Sequence, residues 1–479
     1  MQDDQDVVNR TAAEGRPNGS SGLTDLPEQE HWQSPKELSP AQLPIWHAEI
    51  LRRGTPRWTQ LGVTTLNGVI SQPRLEHALK ATVAYYPALR TCLVRQGREA
   101  RQTLHDARDF VVHRHDFSSL PEQERERRVA DFLVEAEQHR FQLYGGWLFR
   151  ADILVCAPDH TVLLLLLHHV AADGVSFPLI LRHAASVYRD ETAAARADQV
   201  YERWLDRQTR RDPDPALDAV LDFYQRELAG ASAWNERLYD SEASTPLHEP
   251  PDLPGSTCLL DPAVVQGLSR LAEQTASTLF IVLLTAYGVA LRQVLDSPDL
   301  LIGVFVSGRG GEAGLVAMAV NMVVVRLRLE GITETGALVG RVKQDWRPVR
   351  RFEAAPIHAL RRLAQRRAAV ESDAAADEDL PSRGNLPERV QISINFLDMR
   401  NTVFDVPGIV SRTTHPQSAF PLNDLMLVMF REHDDTLRLR LINGSGTPRL
   451  SARRLDALLD VLAGLLRNWG AAATGVPLL

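Results

Sequence analysis

The run Val162-Leu163-Leu164-Leu165-Leu166-Leu167-His168-His169-Val170-Ala171-Ala172-Asp173-Gly174 decides how this chain is read. An unbroken apolar run of strand length predicts a strand covered on both faces. Two histidines close it. Neighbours on a strand point to opposite faces, so only one of them faces a given cleft. The leucine run has no polar side and does not say which. An imidazole titrates near neutrality, which suits acid–base chemistry. Gly174 allows a sharp backbone turn. A helix predicted over Val175–Asp190 then begins with free N–H groups and a positive dipole end, useful beside a developing oxyanion. Read from the residues alone, a structural role stays equally open. Paired histidines at a strand end are often structural, a metal would need further ligands, and Asp173 could simply cap the following helix. His113 and His115 share a strand face but read as a surface pair.

Working outward, Leu148–Cys156 reads as a second strand, joined to the first by Ala157-Pro158-Asp159-His160. Arg74–Tyr85 carries apolar residues at helical spacing, Ser277–Val294 is an apolar helix, and Leu301–Val306 is another buried strand. Asp424–Arg431 and Thr436–Asn443 predict a hairpin across Asp434-Asp435, with Leu437, Leu439 and Leu441 inward and Arg438 and Arg440 outward. Ser451 opens a helix with Leu455, Leu458, Leu459, Leu462, Leu465 and Leu466 inward, closed by Gly470. The fold class is α/β (α+β), with sheets in both halves.

The chain has 479 residues, enough for two or three domains. Residues 1–34 are rich in Gln, Asp, Gly, Ser and Pro and read as a disordered lead-in. Polar stretches at 230–255 and 371–389 read as loops or linkers. The net charge of −8 argues against nucleic acid or an anionic membrane as the main partner. The longest apolar runs, Val162–Leu167 and Leu279–Leu291, are shorter than the roughly 20 residues that span a bilayer. Cys92, Cys156 and Cys258 lack metal-ligand spacing and read as reduced thiols. The acidic N-terminus has no signal-peptide pattern, so a cytoplasmic protein is expected.

His168–Gly174 resembles the His-His-x-x-x-Asp-Gly motif of the condensation-domain superfamily, which includes nonribosomal peptide condensation domains and related acyltransferases. Other blocks are similar in order and spacing. They are Leu38-Ser39-Pro40-Ala41-Gln42 with Ile45-Trp46, Tyr86-Pro87-Ala88-Leu89-Arg90-Thr91, Leu148-Phe149-Arg150-Ala151, Thr278-Leu279-Phe280, Val306-Ser307-Gly308-Arg309, and Val320-Asn321 with Arg326. Pro44, Met322 and Ala319 depart from the family's usual residues, and no Asp-Phe-Gly-Trp-Gly segment is present.

The resemblance implies two chloramphenicol-acetyltransferase-like lobes in a V, at 35–212 and 213–479, with the active-site tunnel between them. It implies that His169 faces the tunnel, as general base or as a group that positions the tetrahedral intermediate. By the same resemblance His168 and Asp173 are architectural, the Gly174 N–H helps the oxyanion, and Ser176 and Asn321 are candidates for the tunnel wall. It also places Arg309 opposite Asp173 as a structural ion pair. The expected activity is that of a free-standing condensation enzyme. It would transfer an acyl or aminoacyl group from a phosphopantetheinyl carrier-protein thioester to an amine or hydroxyl, with no bound cofactor or metal. A coenzyme A-dependent acyltransferase, a non-catalytic carrier-docking module and an epimerisation domain are the alternatives. The Asn321 block argues against the last.

Overall fold

The computed structural model describes residues 32, 34–51, 58–190, 197–209, 215–231, 255–353, 355, 357, 360, 390–414, 423–443 and 450–472. Nearly all of the expected lead-in, the polar stretch at 230–255 and all of 371–389 lie outside them.

Three sheets carry the described chain. A small one has Lys36–Glu37 (β1), Thr91–Gln96 (β3) and Glu99–Leu104 (β4) in the order β1-β4-β3. The first large sheet holds Thr59–Asn67 (β2), Val112–Asp116 (β5), Phe149–Ala157 (β6), His160–His168 (β7) and Val410–Thr414 (β12), ordered β12-β2-β7-β6-β5. The second holds Gly255–Leu260 (β8), Asp299–Val306 (β9), Asn321–Arg328 (β10), Ile392–Asp398 (β11), Leu425–Arg431 (β13) and Leu437–Asn443 (β14), ordered β10-β9-β11-β13-β14-β8. The class is mixed α/β, with a large sheet in each half.

The leucine strand sits at the centre of its sheet, antiparallel to both neighbours. Its residues alternate as the pleat dictates. Leu163, Leu165 and Leu167 join one core with Phe149, Phe177 and Ile180, on the helix Ser176–Tyr188. Val162, Leu164 and Leu166 join another with Leu61, Leu154 and the partly buried Phe132 of the helix Glu122–Glu137. Full burial of each leucine is worth about 1.5–3 kcal/mol. The strand end that carries the histidines is therefore a rigid platform.

In the second half, Leu437, Leu439 and Leu441 point into the core while Arg438 and Arg440 do not, and β13 pairs antiparallel with β14 as the hairpin reading expected. The apolar helix Leu279–Leu295 is buried in that core. One detail differs. The last described helix, Ala452–Ala471, runs through Gly470, so Gly470 does not close it. Gly470 is there for packing. A Cβ on Gly267 would lie 1.8 Å from the Gly470 carbonyl oxygen, and one on Gly470 would lie 2.7 Å from that of Val264. Two glycines thus let this helix cross the helix Pro262–Gln274 at backbone contact.

The halves are joined twice over by the chain. Leu315, Val316, Ala317 and Ala319, which follow β9, are buried in the first half's core. Strand β12, later still in the chain, adds to the first sheet beside β2, where Thr413 and Thr64 hydroxyls meet at 3.0 Å. No single helix among the described residues is long and apolar enough to cross a membrane.

Candidate active site

The strand end is tied down on both sides. The His168 N–H donates to the Leu148 carbonyl at 2.8 Å, and the His169 N–H donates to the Trp58 carbonyl at 2.7 Å. His168 turns inward and is 3% exposed. Its Nδ1 accepts from the Val170 N–H at 3.1 Å, and its carbonyl accepts from the Ala171 N–H. His169 points the other way and keeps partial exposure amid buried neighbours. Period-two alternation required one histidine to differ from the other, and His169 is the one that keeps partial exposure.

Burial lowers the pKa of both rings. His168, buried beside His169, is pushed down to about 3. His169 is lowered by burial too, opposed by the Asp173 charge and by backbone groups of His169 itself and Ala172. Its buried Nδ1 has no partner in hydrogen-bond geometry. A pKa held below 6.5 favours the uncharged ring at neutral pH, the state a general base needs.

Asp173 is fully buried and saturated. Arg309 grips it with two nitrogens, Nη2 at 2.7 Å from Oδ1 and Nη1 at 3.2 Å from Oδ2. The Ser176 hydroxyl donates to Oδ1 at 3.2 Å. The backbone N–H groups of Ala319 and Val320 donate to Oδ2 at 3.0 and 2.9 Å. Asp173 is thus not a cap on its own helix. It clamps the segment of the second half that enters the first. Arg309 is held in turn by the Leu315 and Ser307 carbonyls. Gly308 makes this approach feasible: its φ is +60°, and a Cβ there would lie 2.0 Å from the Ala319 oxygen.

Two residues expected on a tunnel wall do other work. Ser176 is 0% exposed, because its hydroxyl is spent on Asp173, the Ala317 carbonyl and Arg309. Asn321 donates through Nδ2 to the Glu353 and Ala355 carbonyls and accepts from the Ile357 N–H. It staples the start of β10 to Glu353, Ala355 and Ile357. Gly174 also differs from expectation: its φ is not positive, so the turn does not demand glycine. A Cβ there would meet nothing within 4 Å, although Asp173 beside it is fully buried. Gly174 thus borders open space, and its N–H donates no hydrogen bond among the described residues.

Residues outside the motif complete the site. Gln42, fully buried, donates to the Val170 carbonyl at 2.8 Å and to Gln102, and accepts from the Ser39 N–H. That is the structural use of the opening block: it props the loop that follows His169. Trp58 was not singled out by sequence, since a lone tryptophan before a strand carries no pattern. The paired histidines of β5 divide: His115 meets the buried Asp152, which Arg150 also grips, and His113 is exposed. Among the described residues no cluster of three His, Cys, Asp or Glu could hold a metal.

A family model described as Condensation domain matches residues 33–374, more than half of the sequence, and the chain belongs to that family. Similar proteins include a probable non-canonical nonribosomal peptide synthetase of Salinispora arenicola, 31% identical in a 313-residue alignment that covers 60% of this chain and 4% of that protein. A chondramide synthase of Chondromyces crocatus is 27% identical over 64% of this chain and 8% of its own. The isonitrile lipopeptide synthase of Mycobacterium tuberculosis is 29% identical over 64% of this chain and 12% of its own. The chain thus spans a small fraction of the length of these relatives. Among solved structures, the starter condensation domain of rhizomide synthetase in complex with C8-CoA superposes with a TM-score of 0.73 at 20% identity, covering 92% of this chain and 96% of that one. The first condensation domain of the calcium-dependent antibiotic synthetase, in complex with a substrate analogue, gives 0.69 at 15% identity, covering 93% and 100%.

Proposed function

We propose that the chain transfers an acyl or aminoacyl group from the phosphopantetheine thioester of a carrier protein to an amine or hydroxyl, forming an amide or ester. The observation that carries this reading is His169, a neutral, partly exposed imidazole fixed on a rigid strand end at the start of the loop that leads to Gly174. The acceptor N–H or O–H attacks the thioester carbonyl while His169 takes its proton. The oxygen of the tetrahedral intermediate is stabilised by the free Gly174 N–H. Collapse expels the pantetheine thiolate, which recovers a proton. His168 and the Asp173–Arg309 pair hold the loop. The lobes, 35–212 and 213–479, form a V with this site between them, and the enzyme works in the cytoplasm without a bound cofactor.

A coenzyme A thioester as donor is the second reading, favoured by the C8-CoA held by a protein of the same fold. Its nucleotide phosphates would need basic contacts, and the sequence has no phosphate-binding glycine loop. The intact histidine motif speaks against a docking-only role. Purified protein given the same acyl group on a carrier protein and on coenzyme A separates the readings. Faster product formation from the carrier, followed by mass spectrometry, is expected. Equal or faster transfer from coenzyme A would overturn the choice of donor.

A further inference from the structure

We infer that Trp58 is a positioning residue that helps aim the His169 imidazole and shuts water away from one side of it. This rests on the reading of His169 as the base. In many acid–base sites a carboxylate orients the imidazole. Here Asp173 is the nearby carboxylate, and every contact it makes goes elsewhere: to Arg309, Ser176, Ala319 and Val320. The orientation comes instead from backbone groups of His169 itself and Ala172, and from Trp58. Trp58 touches His169 twice. Its carbonyl accepts the His169 N–H at 2.7 Å, which fixes the backbone from which the ring projects. Its indole meets the imidazole edge-to-face, with centroids 5.9 Å apart and planes at 68°.

That geometry is directional, because the quadrupole of one ring favours the edge of another. The indole is itself held. Trp58 is 7% exposed and packs in a core with Leu148, Val170, Ala171 and Met318. Two of these belong to the loop after His169, and Met318 comes from the inserted segment that Asp173 clamps. The ion pair therefore also fixes one wall of the indole's seat. Burial is the largest cause of the lowered pKa of His169, and a large apolar ring alongside it excludes water on that side. The charged or titratable groups about the ring are His168, itself neutral, and Asp173, matched by Arg309.

The test reads the ring directly. The full chain is labelled with ¹³C at histidine Cε1, and the His169 resonance is assigned by its loss in His169→Ala. Trp58→Leu keeps an apolar side chain of moderate size but offers no aromatic quadrupole, and Trp58→Phe keeps a smaller ring. In folded Trp58→Leu the His169 titration midpoint is expected to rise by about 0.5–1 unit as water enters, and the signal to broaden or split as the ring samples other rotamers. Trp58→Phe should fall between wild type and Trp58→Leu. If Trp58→Leu fails to fold, the Trp58→Phe shift decides alone. An unmoved midpoint and an unchanged single resonance in the folded variant would overturn the inference. These spectra do not depend on turnover, so a failure of His169 as base, seen as an active His169→Ala, is a separate result.

Discussion

Arg309 Nη2 stands 2.7 Å from Asp173 Oδ1, and the two residues are 136 positions apart in the chain. The pair joins a loop of the first half to a loop of the second, with both side chains buried and further anchored by backbone N–H and carbonyl groups. A buried pair broken on one side leaves an unmatched charge. Arg309→Ala is therefore expected to lower unfolding free energy by roughly 3–5 kcal/mol in urea titration. Arg309→Lys should recover only part of this, because an ammonium cannot grip both carboxylate oxygens as a planar fork does. Full recovery by lysine would mean that charge alone is needed.

The pH dependence of stability has a specific contributor in His183. Burial pushes it down to about 4 from an ordinary 6.5. Its Nδ1 lies 2.9 Å from the Thr82 hydroxyl, and its ring stacks on Tyr85. A depressed histidine pKa means that the unfolded chain takes up a proton first as pH falls. The contribution is whole above 6.5 and is lost progressively down to 4. Over that window His183→Leu should show a shallower fall of stability than wild type, by up to about 1.4 kcal/mol per pH unit, one proton's worth. Parallel curves would contradict this.

The crossing at Gly267 and Gly470 has an internal control. Gly267→Ala places a methyl 1.8 Å from a carbonyl oxygen, so the helices must part, at a cost of about 1–3 kcal/mol. Gly464, in the same helix as Gly470, has nothing within 4 Å of its Cβ position. Gly464→Ala should stabilise by about 0.5–1 kcal/mol through helix propensity. Thermal melts of the two variants should move in opposite directions.

Gly174 tests whether the open space beside it is a substrate passage. Its backbone tolerates a side chain. Gly174→Ala and Gly174→Leu should both fold with near wild-type melting temperatures. Turnover should fall with side-chain size, the leucine variant losing most of it. A fully active Gly174→Leu would place the passage elsewhere.

Much of the architecture was legible because it rests on local patterns. The leucine strand, the Leu437–Leu441 alternation and the apolar helix near Leu279 are periodicities that a sequence displays directly. What was not legible depends on distant contact. Nothing near Val410–Thr414 says that it pairs with β2, some 350 positions away, because an edge strand carries no signature of its neighbour. Gly470 reads as a helix stop by its position near the end, yet its use is fixed by Val264 and Gly267. At the site, alternation separated the two histidines but could not orient them, since the leucines before them are buried on both faces. Ser176 follows the histidine motif and Asn321 lies in a later block, but only tertiary structure shows that their polar atoms are taken up by protein. Trp58 carries no pattern at all.

The central claim is that His169 is the base of an acyl transfer, and one measurement meets it most directly. Wild type, His169→Ala and His168→Ala are compared for transfer from an acyl-loaded carrier protein to an amine or hydroxyl acceptor, with product followed by mass spectrometry and folding checked by circular dichroism. Loss of a single general base predicts a fall of roughly 10²–10⁴-fold in His169→Ala with the fold intact. A folded His169→Ala that transfers at the wild-type rate, above all if His168→Ala has lost it, would contradict the account.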